Sequence, residues 1–184
     1  MLNWTVHVKK TEPHFLDVCE QAKKAKFFEG LYVSHNDRYR QIQLFAGQHP
    51  IEVFDRTHDA LGCITNREFD IECGAALVLS QSFLGDVAVI LYPYSSKNLS
   101  RIQTNIIWAV FSDPRKITDT VLKSATKDFF CYMRVSSTIF SESRIERLRI
   151  KYLEFRSKKY VGDGSIIKLI FYHWSMLFLG RLGQ

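Results

Sequence analysis

Two periods of hydrophobic spacing run along the chain, and the changes between them mark out its elements. At the start Trp4, Val6 and Val8 alternate with polar residues, a two-residue period that predicts a first strand within Met1–Lys10. Residues 11–28 switch to helical spacing through Phe15, Val18, Cys19 and Ala22, with Thr11 placed to cap, Glu12 and Pro13 suited to the opening turn, and Gly30 as the stop. Short strand signals follow at 31–34, 41–46, 51–54 and 68–73, separated by turn-forming residues. In them Ile42 and Leu44, Ile51 and Val53, and Phe69, Ile71 and Cys73 each share a face, which predicts half-solvated strands with Glu68, Asp70 and Glu72 on a solvent side.

The runs at 75–80 and 86–94 are apolar almost throughout and are joined by a short hairpin at 81–85, so they belong at the centre of a sheet covered on both faces. One further strand is predicted at 105–111. Connections this short cannot return a strand parallel to its predecessor, which takes a crossover helix. The expected fold class is therefore α+β: an antiparallel meander forming a curved sheet or small barrel of about seven or eight strands over residues 4–111, with one N-terminal helix and two to three C-terminal helices.

The helical period resumes after Asp113-Pro114, with Thr118 as a cap and Val121, Leu122, Ala125, Phe129, Phe130 and Met133 as the apolar side. Ser143 with Glu146 three residues on reads as a capping box opening another helix. Gly162-Asp163-Gly164-Ser165 reads as a linker, and 166–179 is almost wholly apolar. The organisation is a β-rich globular domain at 1–140, a basic amphipathic helix at 141–160 and an apolar C-terminal helix at 165–182.

Composition changes this picture little, but charge sharpens it. A chain of 184 residues with 46% hydrophobic and 14% aromatic residues can bury a core without metals or disulfides. Cys19, Cys63, Cys73 and Cys131 are scattered in apolar or strand-like runs, and the first ten residues lack the apolar core of a leader peptide. Free thiols and a cytoplasmic location, or the cytoplasmic side of a membrane, are expected. Of the net +6, seven basic and two acidic residues fall between Arg144 and Lys159, which leaves 18 basic against 17 acidic elsewhere.

Turning that helix by about 100° per residue sets Ile145, Leu148, Tyr152 and Phe155 in one stripe. Arg144, Arg147, Lys151 and Lys158 line one edge, Arg149 and Arg156 the other, and Lys159 follows in the last turn. Such a helix fits an anionic membrane surface; the alternative is a stripe packed on the core with its charges in water. As a helix, residues 166–182 would run about 25 Å, at the short limit for a hydrocarbon core of about 30 Å. Tyr172, His173 and Trp174 suit an interface, and core packing or a homo-oligomer contact through 166–179 is the alternative.

No motif for chemistry emerges. Arg38, Tyr39 and Arg40 beside His35-Asn36-Asp37 are the candidates for a small anionic, possibly nucleotide, ligand, although Asn-Asp is also an ordinary turn former. The segment Leu31-Tyr32-Val33-Ser34-His35-Asn36-Asp37 resembles the first strand and loop of TIR-type NAD-cleaving domains, but strands follow where that family continues into a helix and parallel sheet, and no later Glu has a matching context. His35, His49, Asp55, His58 and Asp59 lack metal-ligand spacing, Ser80 and Ser82 lack a nucleophile elbow, and the glycines at 62, 74 and 85 stand singly. No catalytic residue, metal ligand or cofactor is assigned. The expectation is a binding or sensing module attached to a membrane through its C-terminal helices, in outline similar to small bacterial membrane-associated effectors. The alternatives are nucleic-acid binding through 144–159, and an enzyme with its site near Arg38, Arg40 and Tyr92 or Tyr94.

Overall fold

The computed structural model describes residues 4–58, 64–97 and 104–161, with 52–58, 64–68 and Val161 described by backbone alone. Helix α1 spans Trp4–Lys24, so the first strand expected at Met1–Lys10 is not formed from Trp4 onward. Trp4 and Val8 lie four apart and satisfy either period. Burial decides for the helix: Trp4, His7, Val8, Thr11, Phe15 and Cys19 face inward, while Val6 is 65% exposed. Thr11 is consequently interior rather than a cap, its hydroxyl donating to the His7 carbonyl at 3.1 Å, and Pro13 sits inside the helix.

Five strands make the main sheet: β1 (Leu31–Asn36), β2 (Gln41–Ala46), β5 (Ala76–Gln81), β6 (Val87–Tyr92) and β8 (Ile106–Phe111), in the order β1-β2-β5-β6-β8 and antiparallel throughout. Between β2 and β5 the chain detours through β3 (His49–His58) and β4 (Ile64–Cys73), which pair with each other and, through β4, with the two-residue β7 (Ser95–Ser96) as a second sheet. The main sheet is open, with β1 and β8 as its edges. The curved sheet is realised rather than the barrel. The expected hairpin closes β5 and β6 at Ser82–Asp86, where Gly85 takes φ of 101°, a left-handed conformation that glycine adopts without strain.

One face of the sheet carries the core. Ile42, Leu44, Leu77, Leu79, Val89, Leu91 and Ile106 meet Phe15 of α1, Leu122, Ala125 and Phe129 of α2 (Asp119–Ser136), and Ile150 and Leu153 of α3 (Arg144–Val161). Full burial of each such large aliphatic or phenyl side chain contributes about 1.5–3 kcal/mol. Thr118 caps α2 as expected, accepting from the Val121 amide at 3.4 Å. The capping box is present at α3: Ser143 Oγ accepts from the Glu146 amide at 3.2 Å, and a Glu146 carboxylate oxygen accepts from the Ser143 amide at 3.0 Å. On the other face Ala76, Val78, Ala88, Ile90 and Tyr92 form a second buried cluster with Phe45 and Val110.

Candidate functional site

Helix α3 is held by a stripe different from the one its sequence makes conspicuous. Ile150, Leu153 and Ser157 are its buried residues among the described side chains, and Ser157 Oγ accepts the Ile107 amide of edge strand β8 at 2.8 Å. Arg156 donates to the Trp108 carbonyl at 2.6 Å. Asp128 of α2, itself buried, accepts the Trp108 indole N–H at 2.7 Å and both Nε and Nη2 of Arg149 at 2.9 and 2.8 Å. The carboxylate beside Arg149 holds its guanidinium pKa above the ordinary value. Charge-assisted, two-point bonds of this kind fix orientation as well as adding energy.

Ile145, Leu148, Tyr152 and Phe155 lie on the side turned away from those contacts, 80%, 67%, 53% and 65% exposed. Beside them Arg144, Lys151, Lys158 and Lys159 are exposed, without acidic partners among the described residues. The seven cations expected at an anionic surface thus divide. Four have no acidic partner among the described residues, Arg147 is ion-paired with Glu142, and Arg149 and Arg156 are spent on anchoring the helix. Large apolar side chains gathered on one outward helix face do nothing for the stability of the isolated domain, and patches of this kind mark interaction surfaces. Among the described residues no helix is long and apolar enough to cross a membrane.

A second concentration of polar groups is closed to solvent. The sequence places Asp70 and Glu72 on a solvent face, whereas in β4 they point inward, 5% and 0% exposed, and Phe69 and Ile71 point out at 54% and 42%. The register sets His49 opposite Glu72 on the same face. Glu72 Oε2 lies 2.9 Å from His49 Nε2 and accepts from Ser137 Oγ at 2.7 Å, and Oε1 accepts from the Thr138 amide and hydroxyl, each at 3.0 Å. The other ring nitrogen of His49 bonds Glu29, whose second oxygen accepts the Tyr94 hydroxyl. Burial, then the hydrogen bond and charge of Glu29, drive the Tyr94 phenol far up, so it serves as a donor. Nearby, Ser96 donates to Asp70 at 2.5 Å. The acids turn inward because each finds donors there; buried carboxylates without them would be prohibitively costly.

Of the residues weighed for metal, His49 therefore has both nitrogens committed to carboxylates, and His35 Nδ1 sits 3.5 Å from Glu12. The side chains of Asp55 and His58, and Asp59 altogether, lie outside the described residues. Among the described residues no three metal-ligating side chains are grouped to hold an ion. Cys19, Cys73 and Cys131 are free thiols whose pKa burial raises; Cys63 lies outside the described residues.

Arg38, Tyr39 and Arg40 occupy the turn between β1 and β2, where Asn36 Oδ1 accepts the Tyr39 amide at 3.2 Å and Arg40 takes φ of 50°. The Arg38 guanidinium lies 5.6 Å from the centre of the Tyr39 ring, and that of Arg40 5.7 Å from the Phe83 ring at the neighbouring β5–β6 turn. Tyr92 and Tyr94 are not brought to them. Tyr92 pairs with Ala76, while the Gln81 amide donates to the Arg40 carbonyl, which puts the two groups at opposite ends of β5, about 17 Å apart at strand rise. Arg38 and Arg40 are thus not gathered with Tyr92 or Tyr94 into one site. The chain matches no protein-family model, no curated protein and no solved structure.

Proposed function

We propose that the protein is a peripheral binding module that attaches to an anionic lipid surface through the outward face of α3. The observation that carries this reading is the exposed stripe Ile145, Leu148, Tyr152 and Phe155, on a helix docked by its opposite side and flanked by the exposed cations Arg144, Lys151 and Lys158. Each apolar side chain moved from water into the acyl boundary is worth up to about 1.5–3 kcal/mol, and each cation near an anionic leaflet about 1 kcal/mol. A helix lying in the interface uses both. Nucleic acid would use the cations and leave the stripe wet.

Flotation with phosphatidylcholine vesicles, with and without phosphatidylglycerol, tests the reading at low and high salt. Binding should require the anionic lipid. It should weaken about 30-fold in Lys151→Gln/Lys158→Gln, which removes about 2 kcal/mol, and disappear in Leu148→Gln/Phe155→Gln. All four positions are exposed, so circular dichroism should show an unchanged fold. Absence of binding to anionic vesicles at low salt would sink the proposal, and so would equal binding by the Leu148/Phe155 variant. Salt-sensitive binding to duplex DNA that ignores the apolar substitutions would replace it with the nucleic-acid reading.

A further inference from the structure

The outward stripe of α3 keeps a strict spacing. Ile145, Leu148, Tyr152 and Phe155 follow one another by three, four and three residues, which are positions a, d, a and d of a seven-residue repeat. Among the described side chains of α3 these four are the exposed large apolar ones. An apolar face confined to a and d is the narrow seam of a coiled coil, whereas a helix that lies on a broad apolar layer carries a sector wider than about 100°. In the same repeat Ile150 and Ser157 fall at f and Leu153 at b, so the helix is docked from behind the seam, and the seam itself stands open along about 15 Å.

Charge on the two flanks selects what the seam accepts. Position g is Arg144, Lys151 and Lys158, and position e is Arg149 and Arg156, so every flanking residue is a cation. The two acids of the helix, Glu146 and Glu154, fall at b and c, away from the seam, and Glu146 is ion-paired with Arg134. Residues at e and g set the choice and orientation of a partner helix. Pairing two copies in parallel puts g against the e position five residues on, as Lys151 against Arg156, and pairing them antiparallel puts g against g. Both arrangements set cation against cation, which disfavours a second copy and favours a helix with carboxylates at those places. We propose that the outward face of α3 is also a coiled-coil seam for a partner protein's amphipathic helix, apolar at a and d and flanked by Asp or Glu. That helix and a bilayer cover the same four side chains, so seating it withholds α3 from lipid. The seam does not depend on the lipid reading; the release from lipid rests on it.

Fluorescence anisotropy of a labelled synthetic helix as long as α3, with Ile at a, Leu at d and Glu at e and g, tests the seam against the full chain without vesicles. Saturable binding is expected, and the same peptide with Lys at e and g should bind about tenfold or more weakly. Reversing Arg144→Glu/Lys151→Glu/Lys158→Glu in the chain should remove the preference for the Glu peptide, and Leu148→Gln/Phe155→Gln should abolish binding of either peptide. All five positions are exposed, so circular dichroism should show an unchanged fold. Equal binding of the two peptides, a preference untouched by charge reversal, or binding that survives loss of the stripe overturns the proposal. A dimer of the full chain in analytical ultracentrifugation that Leu148→Gln/Phe155→Gln dissolves also overturns it, assigning the seam to a second copy. With phosphatidylglycerol vesicles, saturating Glu peptide should release the bound chain. A chain that carries peptide and stays on the vesicle overturns the shared face, whereas a chain that binds peptide but never floats removes the lipid reading and leaves the seam standing.

Discussion

At His49 one ring serves two carboxylates. Six polar atoms converge on the four oxygens of Glu29 and Glu72: both nitrogens of His49, the hydroxyls of Tyr94, Ser137 and Thr138, and the Thr138 amide. The two buried acids are therefore joined through one ring, and replacing that ring leaves an oxygen of each without its partner. His49→Phe should cost about 2–6 kcal/mol, from about 1–3 kcal/mol for each buried group left unsatisfied, measured as a lower urea midpoint. A loss below about 1 kcal/mol would show that the ring does not hold the two acids together. His7 behaves in the opposite way. Buried in α1 with its Nε2 unpartnered, it has its pKa lowered to about 4 by burial, with Lys10 adding to the effect. The unfolded chain takes up the proton near pH 6.5 and the folded one does not until about pH 4, so stability falls as pH drops through that window, by up to roughly 3 kcal/mol. His7→Leu should remove this component. Its melting temperature should fall less than that of the parent between pH 7 and pH 4.5, and equal falls would refute the assignment.

Elements whose signals are local are legible in the sequence, and those decided by distant partners are not. The Thr118 cap and the Ser143/Glu146 box each close within three residues, and both form as read. The central strands β5 and β6 are legible because apolar runs without alternation admit only two-sided cover. By contrast β4 alternates perfectly whichever face is inside, and Asp70 and Glu72 turn in because their donors come from 23 to 66 residues away. Trp4 and Val8 satisfy both periods, so α1 is misread at its start. On α3 the conspicuous stripe is legible, but the face that binds the fold is not. It is built from two apolar residues, a serine and two arginines whose acceptors, Asp128 and the Trp108 carbonyl, lie on other elements. This assignment of roles is testable with stability alone. Asp128→Ala leaves the buried Trp108 indole N–H without its acceptor and releases the part-exposed Arg149, and should cost about 1–3 kcal/mol, whereas Lys151→Ala and Lys158→Ala on the outward edge should stay within about 0.5 kcal/mol. Equal effects in a denaturant series would mean that the cations of α3 do not divide into anchors and free charges.

Across the whole molecule the charge is placed rather than spread. The chain is nearly neutral outside residues 144–159, and those residues hold the excess on a helix whose apolar stripe also faces out. Attraction between an approaching protein and an anionic leaflet is screened beyond about 8 Å at physiological salt, so only charges that reach the surface with the stripe contribute fully. Net charge and local charge therefore make different predictions. Reversing Lys151, Lys158 and Lys159 to Glu takes the chain from +6 to 0, and reversing Lys9, Lys23 and Lys116, all exposed and on other elements, does the same. If the outward face of α3 is the attachment surface, the first triple variant loses anionic-vesicle binding and the second keeps it to within a few fold, since the stripe and its cations are intact. Equal loss in both, with both still folded, would make attachment a matter of overall charge and leave the exposed stripe free for a protein partner.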